Sequence, residues 1–189
     1  ELLADAAESR IRTDPLSAIS YATVALGSIS ERSDPQLFAK LSTLHAIAHL
    51  ETIDDVFDDE FLRLSEVAQE SALRSEDVEL IVRSHIFDGL YPTFEMRFRG
   101  SDEHRARCWR ALDSLPSDAV DERALLLNHL TELTLLEPDE HERATQQLAS
   151  IIETGVSDDV VVRLNRRRRH FALVIHEEES SPAPTNSTH

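Results

Sequence analysis

Lysine is almost missing from this chain. Lys40 is the only one among 19 basic residues, against 36 acids, so the 189 residues carry a formal charge of −17. A surface this negative excludes unaided binding to nucleic acid or to an anionic membrane. Acid excess with so little lysine is expected of a salt-adapted cytosol, although a GC-rich genome favours arginine in the same way. Cysteine occurs once, at Cys108, so no internal disulfide can form. Gly27, Gly89, Gly100 and Gly155 are scattered, which excludes a glycine-rich phosphate loop. Aromatics make up 5% of the residues, so the core must be built mainly from Leu, Ile, Val and Ala. No apolar run approaches the ~18 residues that span a bilayer. No signal peptide is visible, and the start at Glu1 without Met leads us to expect a cytoplasmic piece of a longer protein.

What the chain does have is periodicity. Its hydrophobic content of 41% is that of a folded domain. A polar helix start recurs as Ser33-Asp34-Pro35, Ser75-Glu76-Asp77, Ser117-Asp118 and Ser157-Asp158-Asp159, at intervals of 42, 42 and 40 residues. A fixed period of this size with a cap at each start marks a helical-hairpin repeat. Helices are expected over 1–12 and 15–31, the latter with Ile19, Ala22, Leu26 and Ile29 on one face. The first full unit pairs the stripe Leu37, Leu41, Leu44 and Ala48 with the stripe Phe61, Leu64 and Ala68, across a break at Asp54-Asp55. In the second unit Val78, Ile81, Val82, Ile86 and Leu90 have helical period, and Gly89 and Pro92 should kink or break that helix. Its partner opens at Ser101-Asp102-Glu103. The third unit carries Leu126, Leu130 and Leu133, followed by a helix from Pro138 to near Gly155. A last helix over 158–178 should bury Leu164 with Val160, Val161, Phe171 and Ile175, Arg168 lying at the edge of that stripe. Residues 1–179 are expected to be one repeat domain, with 180–189 a disordered tail or linker.

Helix pairs at this period resemble tetratricopeptide-like repeats, in the longer variety found in prokaryotic signalling proteins and regulators. The resemblance covers about 1–178. It rests on Asp14-Pro15 leading into a helix with Ala18, Ala22 and Ala25, on Leu44-His45-Ala46-Ile47-Ala48-His49 as a first helix with small residues at its crossing, and on the recurring starts. The period exceeds the ~34 residues of the common form. The resemblance implies an all-α right-handed solenoid of about four hairpins and nine helices. It also implies an interaction or sensory module, not an enzyme, that binds a protein or peptide in a concave groove lined by first helices. Lys40, His85, Tyr91 and Thr131 are then the groove candidates.

Other residues carry chemistry in type and spacing. His45 and His49, four apart, could present two imidazoles to one metal or form a catalytic centre, but no third ligand is evident and packing is expected. Cys108 with His104 four residues earlier has the look of a nucleophile and base, although a helical Cys beside Trp109 more often fills a core. The Ser-Asp starts should be caps, not phosphorylation or calcium sites. The helix break at Gly89/Pro92 could shape a pocket for a small ligand. Arg166, Arg167 and Arg169 belong to the one basic cluster and could meet an acidic partner. Val162 and Leu173 fall opposite the buried stripe of the last helix, where a homodimer or a following domain would cover them. No cofactor and no metal are expected.

Overall fold

The structure, a computed structural model, describes residues 1–52, 59–87 and 102–165. Among them the chain is all helical. The helices are α1 (Leu2–Arg10), α2 (Pro15–Leu26), α3 (Pro35–Leu50), α4 (Asp59–Ser75), α5 (Val78–Ile86), α6 (Asp102–Ser114), α7 (Val120–Leu133), α8 (Pro138–Thr154) and α9 (158–165). None of the described helices is long and apolar enough to cross a membrane.

Their starts follow from short polar side chains that replace the missing intrahelical acceptors. Asp14 accepts from the Ser17 amide at 3.2 Å, Asp34 from Leu37 at 3.0 Å and Asp77 from Leu80 at 3.0 Å. Pro15 and Pro35 occupy the first turn, where no amide is needed. The third recurring start departs from this pattern. Ala119 stands at the N-cap of α7, and no side chain bonds there. The Asp118 carbonyl instead takes the Val120 amide at 2.8 Å, so the backbone turn does the work that a side chain does elsewhere. At α9 the cap is Ser157, whose hydroxyl accepts from Val160.

Helices adjacent in sequence pack on one another: α1 with α2, α3 with α4, α6 with α7 and α7 with α8. A second set of contacts joins α1 to α3, α3 to α5 and α5 to α7. That set makes α3 the most enclosed helix, with Leu41, Leu44, Ile47 and Leu50 in the core beside Ala39, Ala46 and Ala48. Small residues at these crossings let the backbones approach closely, which is how a core poor in aromatics reaches interior density. Phe61 is fully buried and meets the ring of Phe87 at 5.7 Å between centroids. Burying a side chain of that size contributes about 2–3 kcal/mol.

Two expectations need correction. α5 ends at Ile86, before Gly89, because Phe87 turns to the left-handed region (φ 47°, ψ 49°) while its amide still reaches the Arg83 carbonyl at 2.9 Å. The Gly89–Pro92 stretch itself lies outside the described residues. In α9, Val160 and Leu164 are buried as the helical period requires, but Val161 is 38% exposed. The stripe of α9 is therefore narrower than the sequence suggests. Phe171, Ile175 and Arg168 lie outside the described residues.

Candidate functional site

Among the described residues, the closest gathering of ligand-type side chains lies between α6 and α7. The first turn of α6 carries Asp102 and Glu103, acids at the positive end of the helix dipole. Four-residue spacing then sets His104 and Cys108 on one face, and that face is buried. α7 packs against it and brings His129 from 25 residues away. His104 Nε2 lies 3.3 Å from His129 Nε2 and 3.6 Å from Cys108 Sγ. One ligand atom from each of the three residues lies within 4.8 Å of the others. The two imidazoles meet edge to face, with centroids 5.6 Å apart.

His85, buried on α5, is electrostatically coupled to His104 and His129 but lies outside the set of ligand atoms within 4.8 Å of one another. Its Nδ1 is 2.7 Å from the Ile81 carbonyl and 3.2 Å from the Ser84 hydroxyl. A carbonyl can only accept, so Nδ1 carries the proton and Nε2 is left with a bare lone pair. That Nε2 is buried without a hydrogen-bond partner among the described residues. Burial pushes His85 down to about 4, against a smaller upward pull from the Ile81 carbonyl, and the charges of His129, Arg107 and Arg110 press the same way as burial. Burial also holds His104 well below its ordinary value, helped by His129, His85 and Arg107. At neutral pH both rings are neutral and can offer lone pairs.

A clamp of polar contacts fixes α6. Arg105, nearly buried, pairs with Asp102 at 2.9 Å and lies 3.7 Å from Glu137 and 3.5 Å from Glu140. Trp109 Nε1 donates to Glu140 at 3.1 Å, and the Arg143 guanidinium stacks 4.1 Å from the centre of the Trp109 ring. Cys108 is fully buried, so a substrate carbonyl has no approach to its sulfur, and nucleophilic catalysis is a poor use of this arrangement.

A second feature is an open cleft of about 630 Å³ over α1, α3 and α5. Glu1, Asp5, Glu8, Asp34, Asp77 and Glu79 line it, with Lys40 and Arg83 as its cations. Lys40 sits 3.4 Å from Asp5 and 3.2 Å from Glu8, and Arg83 sits 2.6 Å from Glu8. Hydrogen bonds and the charges of Arg83 and Lys40 outweigh partial burial and hold Glu8 below the usual carboxylate range.

Of the residues singled out from sequence, Lys40 lines the cleft and is tied to its acids. His85 is in the core, not on a groove surface, because it falls within the apolar run Ile81, Val82 and Ile86. Thr131 is half-buried and donates to the Asn128 carbonyl, as a helical threonine commonly does. Tyr91, Arg166, Arg167, Arg169 and Leu173 lie outside the described residues. Val162 is 64% exposed. His45 and His49 are half-buried on α3, and no third ligand atom joins them among the described residues. Glu60, whose charge reaches both rings, is held by Arg63 at 2.6 and 2.9 Å.

Sequence reasoning found the His104/Cys108 pair and missed His129. The signal was present: His129 stands three residues after Leu126 and four before Leu133, inside the apolar stripe of α7. No family model matches this chain, and no curated protein or solved structure matches it.

Proposed function

We propose that the chain is a helical-hairpin repeat module, a right-handed solenoid of about four hairpins, that binds a basic segment of a protein partner over its first helices. The observation that carries this reading is the side-by-side contact of α1 with α3 and α3 with α5, which opens the acid-lined cleft on a single face. The onward contact of α5 with α7 extends the same row. In such a stack, each first helix presents its outer residues to a common surface. The cleft has more carboxylates than cations, and its cations already face carboxylates of the same cleft. Charge complementarity therefore favours an arginine- or lysine-rich peptide and disfavours an acidic one. The setting we propose is the sensory or interaction part of a prokaryotic regulatory protein, without enzymatic activity of its own.

Fluorescence anisotropy with a labelled arginine-rich peptide, and with an acidic peptide of equal length, tests the reading. The basic peptide should bind more tightly, its affinity should fall as salt rises, and joint reversal of Asp5→Arg and Glu79→Arg should weaken it by at least roughly tenfold. Equal binding of the two peptides, or indifference to the reversal in a variant with unchanged helicity, would sink it.

A further inference from the structure

We propose that His104, Cys108 and His129 hold a zinc ion in the core, with His85, whose ring lies outside that set of mutually close ligand atoms, shifting to supply the fourth place. The spacing of the ligand atoms is the first argument. Zinc bonds of ~2.0–2.1 Å to nitrogen and ~2.3 Å to sulfur, set at tetrahedral angles, separate two nitrogens by about 3.3–3.4 Å and nitrogen from sulfur by about 3.5–3.6 Å. The structure has 3.3 Å between the two imidazole nitrogens and 3.6 Å between the His104 nitrogen and the sulfur, with the His129 ligand atom within 4.8 Å of the sulfur. A hydrogen bond between the imidazoles explains the first distance alone. Four-residue spacing on α6 brings the thiol to His104, and a single ion would account for both contacts meeting at one nitrogen.

Chemical type is the second argument. Two imidazoles and a thiol are borderline to soft ligands, which suit zinc and offer nothing to calcium or magnesium, cations that take oxygen. All three residues are buried, at 3%, 0% and 3% exposure, which fits a closed structural site better than an open catalytic one. His85 gives the third argument. Its Nδ1 proton is engaged by the Ile81 carbonyl, the outer-shell bond that fixes a metal-binding histidine with Nε2 as donor. That Nε2 is buried and lacks a hydrogen-bond partner among the described residues, and the ring is within electrostatic reach of both His104 and His129. On binding, the Cys108 thiol gives its proton to solvent and the sulfur bonds as thiolate, while the three imidazoles bind neutral. The ion would thus tie α5, α6 and α7 together in a core that has no disulfide to do so. This inference does not depend on how the cleft meets a partner.

The full chain should be unfolded, stripped with a chelator, and refolded with or without one equivalent of Zn²⁺ or Co²⁺. We expect one metal per chain after gel filtration and a higher melting temperature with metal. The cobalt form should show the visible bands of tetrahedral Co²⁺ and a near-ultraviolet thiolate-to-cobalt band. Cys108→Ser should lose the thiolate band. His129→Gln should lose more affinity than the roughly 10–100-fold that removal of an outer-shell partner costs. His85→Phe should weaken binding and keep the thiolate band. The joint variant His45→Gln, His49→Gln should match the wild type. Zinc-edge X-ray absorption on the wild type, with one sulfur and otherwise nitrogen neighbours, supports the site even where a variant fails to fold. A wild type that retains no metal and melts at the same temperature with and without it overturns the proposal, as does a thiolate band that survives Cys108→Ser. Binding that disappears with His45 and His49 would place the metal elsewhere. An unchanged His85→Phe would remove His85 from the shell.

Discussion

His85 is the residue whose burial has the plainest thermodynamic consequence. Its ordinary value is 6.5 and its folded value about 4, with burial the largest cause. Between those values the unfolded chain binds a proton that the folded chain refuses. Stability from this residue is therefore full above pH 6.5, falls as the pH drops toward about 4, and is level below that. His104 contributes in the same sense. Of the charged or titratable groups acting on His85, His129, Arg107 and Arg110 all oppose its protonation, and His104 is coupled to it in the same sense. Acid also relieves the repulsion among 36 carboxylic acids, an effect of opposite sign. The comparison of chelator-treated wild type with His85→Gln separates the two. The wild type should lose more stability than the variant across this window, as read by denaturant midpoints. Parallel losses would show that His85 is not the titrating group.

At the scale of the helices, α6 is held at both ends by charges from its neighbours. Near its N-terminus Arg105 gathers Asp102, Glu137 and Glu140, and so joins α6 to α8. At its C-terminus the guanidinium of Arg123, on α7, donates to the carbonyls of Leu112 at 3.0 Å and Leu115 at 3.1 Å. The Leu112 carbonyl also accepts from the Leu115 amide at 3.3 Å, so Arg123 adds to a closing turn, and a cation there suits the dipole. Arg123→Ala should cost about 1.5–3 kcal/mol in urea unfolding, the range for bonds to a charged group. Both bonds come from Nη1, so Arg123→Lys, whose shorter and more strongly hydrated ammonium must reach the same place, should recover only part of it. Full recovery with lysine would show that the guanidinium itself is not needed at this cap. α9 is fastened differently: the Ser157 amide donates to Asp121 at 2.8 Å, and that bond together with the one from the Ser157 hydroxyl holds the Asp121 carboxyl below its usual range.

For the molecule as a whole, the dominant physical fact is its charge of −17. Arginines pair locally with this excess, as Arg63 does with Glu60 and Arg163 with Asp159, but exposed pairs of this kind are worth little singly. The net repulsion remains, and salt screens it: the screening length shrinks from ~10 Å at 0.1 M to ~3 Å at 1 M. The melting temperature should therefore rise from dilute buffer to molar KCl. Charge-neutral sucrose should not reproduce the dependence on ionic strength. Equal midpoints at both salts would show that the acid excess is not an adaptation to salt.

The sequence by itself determined the helices and most of their ends. Asp14, Asp34 and Asp77 were legible as caps because capping is a local bond, complete within four residues of chain. The stripes Leu41–Leu44–Ala48, Phe61–Leu64–Ala68 and Leu126–Leu130–Leu133 were legible because helical period is also local. The uncapped start of α7 and the left-handed end of α5 at Phe87 were not, since the backbone itself supplies those bonds and no side chain announces them. Val161 was misplaced because the width of a buried stripe depends on what the neighbouring helix covers. The candidate centre divides in the same way. His104 and Cys108 share a helix face by spacing alone, but only the packing of α7 on α6 and α5 brings His129 beside them and His85 within electrostatic reach. Contacts between helices far apart in sequence leave no periodic trace, because they depend on how whole faces dock rather than on the residues within one turn.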